Sequence, residues 1–375
     1  MCPFRKYPVL QSLLSPFRLS QQKTLALFIA SIAEVAQAAS IQLASHLALQ
    51  LQIQVDSALN RFYRLLRNPR IDDQKLSSQL LRLLRRGKQN LLIAIDWTQW
   101  HQPWQMILAS VVVGRRAIPV HNKVISKTLM EKSQNKEENE FLRSIASTLK
   151  EIGVVAVLLC DRGFRRVSWI KLLKELEQHF VVRLIPDVIV HKGGRRRRLR
   201  QWHIGVGQAV DLGELWVRQD RAVKTRVIGL WARGQKEPWW LATDSKDSLA
   251  DVVALYDRRM AIEQQIRDTK GCRFGVKLEW TQFKNPQYLS RFVLLVAVAL
   301  ALWTAVGQAV EEQNPGVRLP CKRKGPRLSL LRVGISFLKK VSRMVYIGVK
   351  FVKNHLPPPA LRIFGWIQTT KEKAS

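Results

Sequence analysis

The chain has 375 residues and a mass of 43.2 kDa, room for two or three domains around a large core. Lys and Arg number 62 against 28 Asp and Glu, a net charge of +34, while 47% hydrophobic and 24% charged residues are ordinary globular values. This excludes a disordered or low-complexity chain and speaks against a metabolic enzyme of small substrates, because so large a surplus repels itself unless a polyanion balances it.

Residues 20–67 carry three helical patterns. The third, VDSALNRFYRLLRN, takes Asp56 or Ser57 as its cap and presents Arg61, Arg64 and Arg67. A short basic helix after a compact helical pair predicts a helix-turn-helix reader of DNA; an ordinary three-helix bundle with a solvated basic face fits the same pattern. Residues 71–86 give one more amphipathic helix, and Gly87-Lys88 breaks the chain. From residue 90 the period changes. NLLIAIDW, MILASVVV and AIPVHN read as strands, Glu137 to Ile152 as a helix, GVVAVLLCDRGF as a further buried strand and SWIKLLKELEQHF as a helix. The alternation predicts an α/β core with a mixed sheet.

Residues 181–243 hold short β-type runs, FVVRLIP, QWHIGVGQAV, ELWVRQD, RVIGLWA and PWWLATD, with the basic loop GGRRRRLR among them. They predict a β-rich insertion, in which Arg195 to Arg198 form either a DNA-contacting or a solvated loop. A long helix from Ser248 to Lys270, stopped by Gly271, resumes the core. Phe292 to Val306 is apolar for 15 residues, short of the roughly 20 that span a bilayer, which predicts a buried helix and no membrane association. Residues 322–375 carry 13 Lys or Arg and one acid, a basic tail. The expected segments are 1–88, a helical DNA-binding domain of helix-turn-helix type; 89–180, the first part of the core; 181–243, the insertion; 244–306, the second part of the core; and 307–375, a basic helical region.

Cys2, Cys160, Cys272 and Cys321 form no C-x-x-C pair, which argues against a disulfide framework or structural zinc and fits a reducing, cytoplasmic location. The opening MCPFRKYPVLQSLLSPF lacks the apolar core of a secretory signal. No Walker loop is present, GVGQAV lacks the third glycine of a dinucleotide loop, and no nucleotide cofactor is expected. Cys160 beside Asp161 has no histidine positioned to activate it and reads as a core-strand thiol.

Asp96 and Asp161 each close a buried strand, the end at which α/β sheets place reacting groups. For either alone, a turn or helix-cap role competes with catalysis. Tyr256, Arg259, Glu263 and Lys270 share one stripe of the predicted 248–270 helix, which turns Glu263 towards the sheet. A carboxylate there needs a neutralising partner, either Arg259 within the helix or a divalent metal shared with Asp96 and Asp161. Three carboxylates suit Mg²⁺, and a pair of such ions can activate a nucleophile and stabilise the leaving oxygen of a phosphodiester.

AIDWT, CDRGF and YDRRMAIEQQIRDTK together resemble the DDE transposases of bacterial insertion sequences, and Tyr256, Arg259, Glu263 and Lys270 match the Y-xx-R-xxx-E-xxxxxx-K signature of the insertion-sequence-four group. The resemblance implies an α/β fold with a ribonuclease-H-like mixed-sheet core, a β-rich insertion before the glutamate, and helical N-terminal and C-terminal regions. It implies Asp96, Asp161 and Glu263 as catalytic metal ligands for Mg²⁺, with Mn²⁺ as a substitute, and Tyr256, Arg259 and Lys270 as contacts to DNA phosphates. It further implies cleavage of transposon ends in double-stranded DNA, hairpin ends before joining to target DNA, and a homodimer in the synaptic complex. In relatives a Trp at the start of the strand before the catalytic helix holds a flipped base; Trp239 of PWWLATD is the match, and alternation along that strand turns Trp240 the other way. Two alternatives remain: a ribonuclease-H-like nuclease without strand transfer, and a catalytically silent DNA-binding relic.

Overall fold

The computed structural model describes residues 7–85, 90–100, 103–218, 220, 222–270, 276–281, 283–313 and 329–345. Gly87-Lys88, Gly271, Cys2, Cys272, Cys321 and the tail beyond residue 345 lie outside them. The chain divides into two compact units, residues 84–266 and residues 1–83 with 267–375, and the divisions fall inside the expected 1–88 and 244–306 segments.

Residues 84–266 form one ten-stranded mixed sheet flanked by helices. In chain order its strands are β1 (Asn90–Gln99), β2 (Trp104–Val113), β3 (Arg116–Ser126), β4 (Val155–Cys160), β5 (His179–Leu184), β6 (Ile189–Lys192), β7 (Arg195–Arg198), β8 (Ala209–Val217), β9 (Val223–Leu230) and β10 (Trp239–Thr243). Across the sheet the order is β3-β2-β1-β4-β5-β10-β9-β8-β6-β7. β1, β4 and β5 are parallel neighbours and the other pairs are antiparallel. β2 is buried along seven consecutive residues, as a continuous apolar run with both faces covered must be, whereas β8 alternates exposed and buried.

The β-rich segment is therefore an extension of the same sheet. β5 pairs parallel with β4 on one side and antiparallel with β10 on the other, so residues 181–184 belong to the sheet that carries the aspartates. Two local expectations change. Gln201 to Gly207 forms the end of a single 3₁₀ turn and a loop, with β8 starting only at Ala209, because Gly205 and Gly207 punctuate the run. Arg195 to Arg198 form the edge strand β7 and not a loop.

The second unit is helical. α1 (Pro8–Leu14), α2 (Leu19–Val35), α3 (Ser40–Leu51), α4 (Val55–Arg67) and most of α5 (Asp73–Arg85) lie in its N-terminal part. α2 and α3 meet at 109° through Ala36 in the left-handed region, and Gln52 makes the same reversal before α4. α4 starts at Val55 with Gln54 as its cap, one turn edge earlier than Asp56 or Ser57, and Asp56 instead favours the helix dipole from the first turn. α4 buries Ala58, Phe62, Leu65 and Leu66 and exposes Arg61, Arg64 and Arg67.

The apolar run Phe292 to Val306 belongs to a 28-residue helix, Pro286–Gln313, nearly twice the expected length because Leu289, Gly307 and Ala309 extend its buried face. It is long and apolar enough to cross a membrane, and 83% of its most apolar stretch is buried inside the protein, against α2, α4 and the helix Leu330–Val345. Gly307 and Gly334 let the last two helices touch backbone to backbone; a Cβ on either would collide with a carbonyl of the other helix. Arg291, 7% exposed, donates to the carbonyls of Leu65 (3.1 Å), Leu66 (2.7 Å), Asn68 (2.8 Å) and Ile71 (2.9 Å) and to Asp73 (2.7 Å). One guanidinium thus binds carbonyls at and just beyond the end of α4, the helix that carries the exposed arginines.

Candidate active site

Asp96 and Asp161 are brought side by side by strand register. β1 and β4 run parallel with Ile95 opposite Cys160, and the next residue on each chain is the aspartate. β4 ends there, but β1 runs on to Gln99 against β2, so Asp96 lies within a strand and only Asp161 follows one. Asp161 also caps a one-turn 3₁₀ helix, Arg162–Phe164, its Oδ1 accepting from the Gly163 amide at 2.7 Å. A Cβ on Gly163 would press on that oxygen, which explains glycine at this place.

The helix expected from Ser248 to Lys270 is two helices, α8 (Leu249–Asp257) and α9 (Met260–Lys270). At the break, Arg259 donates its amide to Tyr256 and accepts from Ile262, bonds of three-residue span that tighten the turn. The tighter turn accompanies the insertion of the Arg259 guanidinium between two carboxylates. Nη1 lies 3.2 Å from Asp96 Oδ2, and Nη2 lies 2.9 Å from Glu263 Oε1. Two of the three acidic side chains therefore share one largely buried cation.

Burial pushes the Asp96 carboxyl up to about 6 against the lowering effect of Arg259, and the charges of Asp161 and Glu263 push it the same way. The Trp97 amide donates to its Oδ1 at 2.9 Å. Tyr256, 3% exposed, has its hydroxyl raised to about 12, chiefly by burial. Its ring meets Trp239 edge-on at 5.2 Å, and the Arg183 guanidinium lies 5.6 Å from the Trp239 ring centre. Trp239 is half-buried, while Trp240 points to the other face, wholly buried over Gly229. Cys160 is buried and its thiol is pushed well up by burial, so it is a poor nucleophile. Lys270 ends α9 and falls within the helical unit, as do Arg61, Arg64 and Arg67.

The positioning residues escaped the sequence reading. Glu138, 1% exposed on the helix α6 (Lys127–Glu151), accepts from Trp97 Nε1 (2.8 Å), Gln134 (2.9 Å) and Arg166 Nε and Nη2 (3.1 and 2.8 Å). Trp97 adjoins Asp96, and Arg166 caps α7 (Val167–Glu175) just beyond the turn that Asp161 starts. One buried carboxylate thereby ties together the segments bearing both aspartates. Gln265 accepts from Ser110 of β2 at 3.2 Å, and Gln264 from Arg116 of β3 at 3.3 Å, which hold α9 to the sheet beside Glu263.

A family model described as a transposase DDE domain matches residues 88–302, more than half of the chain. The chain belongs to the DDE transposase family. No curated protein matches it. The family makes this a transposition enzyme that acts on DNA, and its mixed sheet with flanking helices is consistent with such a domain. DDE transposases generally use divalent metal. The donor set of this transposase fits such an ion in chemistry: three hard carboxylates are set against one buried guanidinium, and the charges of Asp161 and Glu263 add to the burial that raises Asp96. In spacing it is not gathered, since among the described residues no three His, Cys, Asp or Glu side chains stand together as a metal-holding group.

Proposed function

We propose that this transposase cuts double-stranded DNA at transposon ends and joins the free ends to target DNA, as a member of the insertion-sequence-four group with a ribonuclease-H-like core. Asp96, Asp161 and Glu263 are its catalytic carboxylates. The observation that carries the reading is that Asp96 of β1 and Glu263 of α9, distant in sequence, meet on the buried Arg259 guanidinium, while strand register sets Asp161 beside the raised Asp96 carboxyl.

Asp96, Asp161 and Glu263 would hold Mg²⁺ or Mn²⁺, which when bound supplies Lewis-acid activation of the attacking oxygen and charge relief at the leaving oxygen. Arg259 balances the acids and, released from them, presents a bidentate donor to a phosphate. Lys270 is a further phosphate contact, and Tyr256, expected to be one, is buried and packs edge-on against Trp239. Water displaces the 3′-oxygen from phosphorus, and the freed 3′-hydroxyl then attacks a second phosphodiester, so bonds are exchanged and no nucleotide is consumed. Trp239, an aromatic of intermediate exposure braced by Tyr256 and Arg183, suits stacking on an extruded base as a hairpin end forms, worth about 1–3 kcal/mol. Arg61, Arg64 and Arg67 read the end sequence, and two copies synapse two ends as a homodimer.

Mapping the products of the full chain on duplex carrying the DNA that flanks its gene tests this. Free 3′-hydroxyl ends, hairpins and joined strands are expected. Cut ends that never join would favour a nuclease, and bound but uncut DNA a silent relic.

A further inference from the structure

We infer that the β6–β7 hairpin is a DNA-groove ribbon, a contact surface for duplex DNA separate from the carboxylate site and resting on the reading that the chain acts on DNA. Its turn is Gly193-Gly194, both with positive φ (55° and 77°), the geometry of a tight two-residue hairpin. β7 is the outermost strand of the sheet and all four of its arginines are exposed. β6 pairs with β8 only through Val190 and His191, so the tip from Lys192 to Arg195 has left the sheet ladder.

The charge is one-sided. Between residues 188 and 210 there are six Lys or Arg and no acid. Asp187, at the base, takes Arg198 (3.4 Å) and Arg200 (3.2 Å), which orients those two side chains along the hairpin, and Arg197 rests 5.9 Å from the ring centre of Trp202. Those contacts stiffen the base while the cations nearer the tip stay exposed. Alternation puts Arg195 and Arg197 on one face of β7 and Arg196 and Arg198 on the other. A ribbon with cations on both faces fits between two phosphate walls. Strands about 4.8 Å apart and about 13 Å long match a major groove about 12 Å wide, which admits a two-stranded β-ribbon.

Charged edges also protect a sheet from pairing with another sheet, and a single lysine suffices for that. Four successive arginines on a glycine-tipped hairpin exceed that need and complement a polyanion on both faces.

The test is the salt dependence of binding by the full chain to a duplex and to a single strand of equal length, with Arg195→Gln/Arg196→Gln/Arg197→Gln beside the all-lysine variant at the same positions. The glutamine variant should lower the slope of log K against log salt on duplex by about two to three, near 0.9 for each lost phosphate contact, with a change of less than about one on single strand, and the lysine variant should keep the wild-type slope. A wild-type slope in the glutamine variant overturns the inference while leaving the transposase reading intact. So does a loss of about two on the single strand as well, near 0.7 for each contact, which would make the hairpin mere positive charge. A wild-type chain that fails to bind duplex would overturn both.

Discussion

Asp96→Asn is expected to leave the protein more stable than wild type at pH 8 and unable to cut DNA. The Asp96 carboxyl is raised from 3.8 to about 6, first by burial and then by Asp161 and Glu263. A raised acid holds its proton more tightly in the folded state. Its contribution to stability is fully present below about pH 4 and is lost as pH rises through about 6. Above that, the ionised group costs up to about 3 kcal/mol. Asparagine keeps the shape and carries no charge, so the difference in unfolding free energy should grow between pH 4 and pH 7 and then level off. Urea melts at pH 4, 6 and 8 read this. A wild type more stable than Asp96→Asn at pH 8 would mean that the Arg259 pair outweighs burial. A site that costs stability where it works is the expected mark of function.

Glu138→Ala should destabilise by about 3–5 kcal/mol, because it leaves the Arg166 guanidinium and the Trp97 indole without their buried acceptor. Glu138→Gln keeps an acceptor oxygen and should cost less, about 1–3 kcal/mol. It should still slow cleavage at least tenfold, since Trp97 and Arg166 hold the two aspartate segments in register. Thermal unfolding and single-turnover cleavage of the glutamine variant separate the effects. A fully stable, fully active Glu138→Gln would remove Glu138 from the positioning set.

Much of the core was legible because local pattern and tertiary role agree. NLLIAIDW and GVVAVLLCDRGF are continuous apolar runs, and parallel strands buried on both faces require them. The opposite orientation of Trp239 and Trp240 follows from strand alternation alone. What was not legible depends on partners far along the chain. The break at Arg258-Arg259 falls among good helix formers, and the partner that draws Arg259 inward, Asp96, lies 163 residues away. Glu138, in a run of charged residues, reads as a solvated helix face; Trp97 and Arg166 bury it. Arg291 sits inside an apolar helix, and its role is set by carbonyls of α4 more than 200 residues earlier. The tetra-arginine segment offers no apolar alternation to betray a strand, and only its pairing with β6 makes it one.

The central claim, that Asp96, Asp161 and Glu263 carry the phosphodiester chemistry, is tested most directly by single-turnover cleavage of end-bearing duplex in Mg²⁺ by the wild type, Asp161→Asn and Glu263→Gln. The account predicts metal-dependent nicking by the wild type, a loss of at least about a thousandfold in each variant, and end binding kept within about threefold, since neither change removes a phosphate-contacting cation. Cleavage by either variant near the wild-type rate would contradict it.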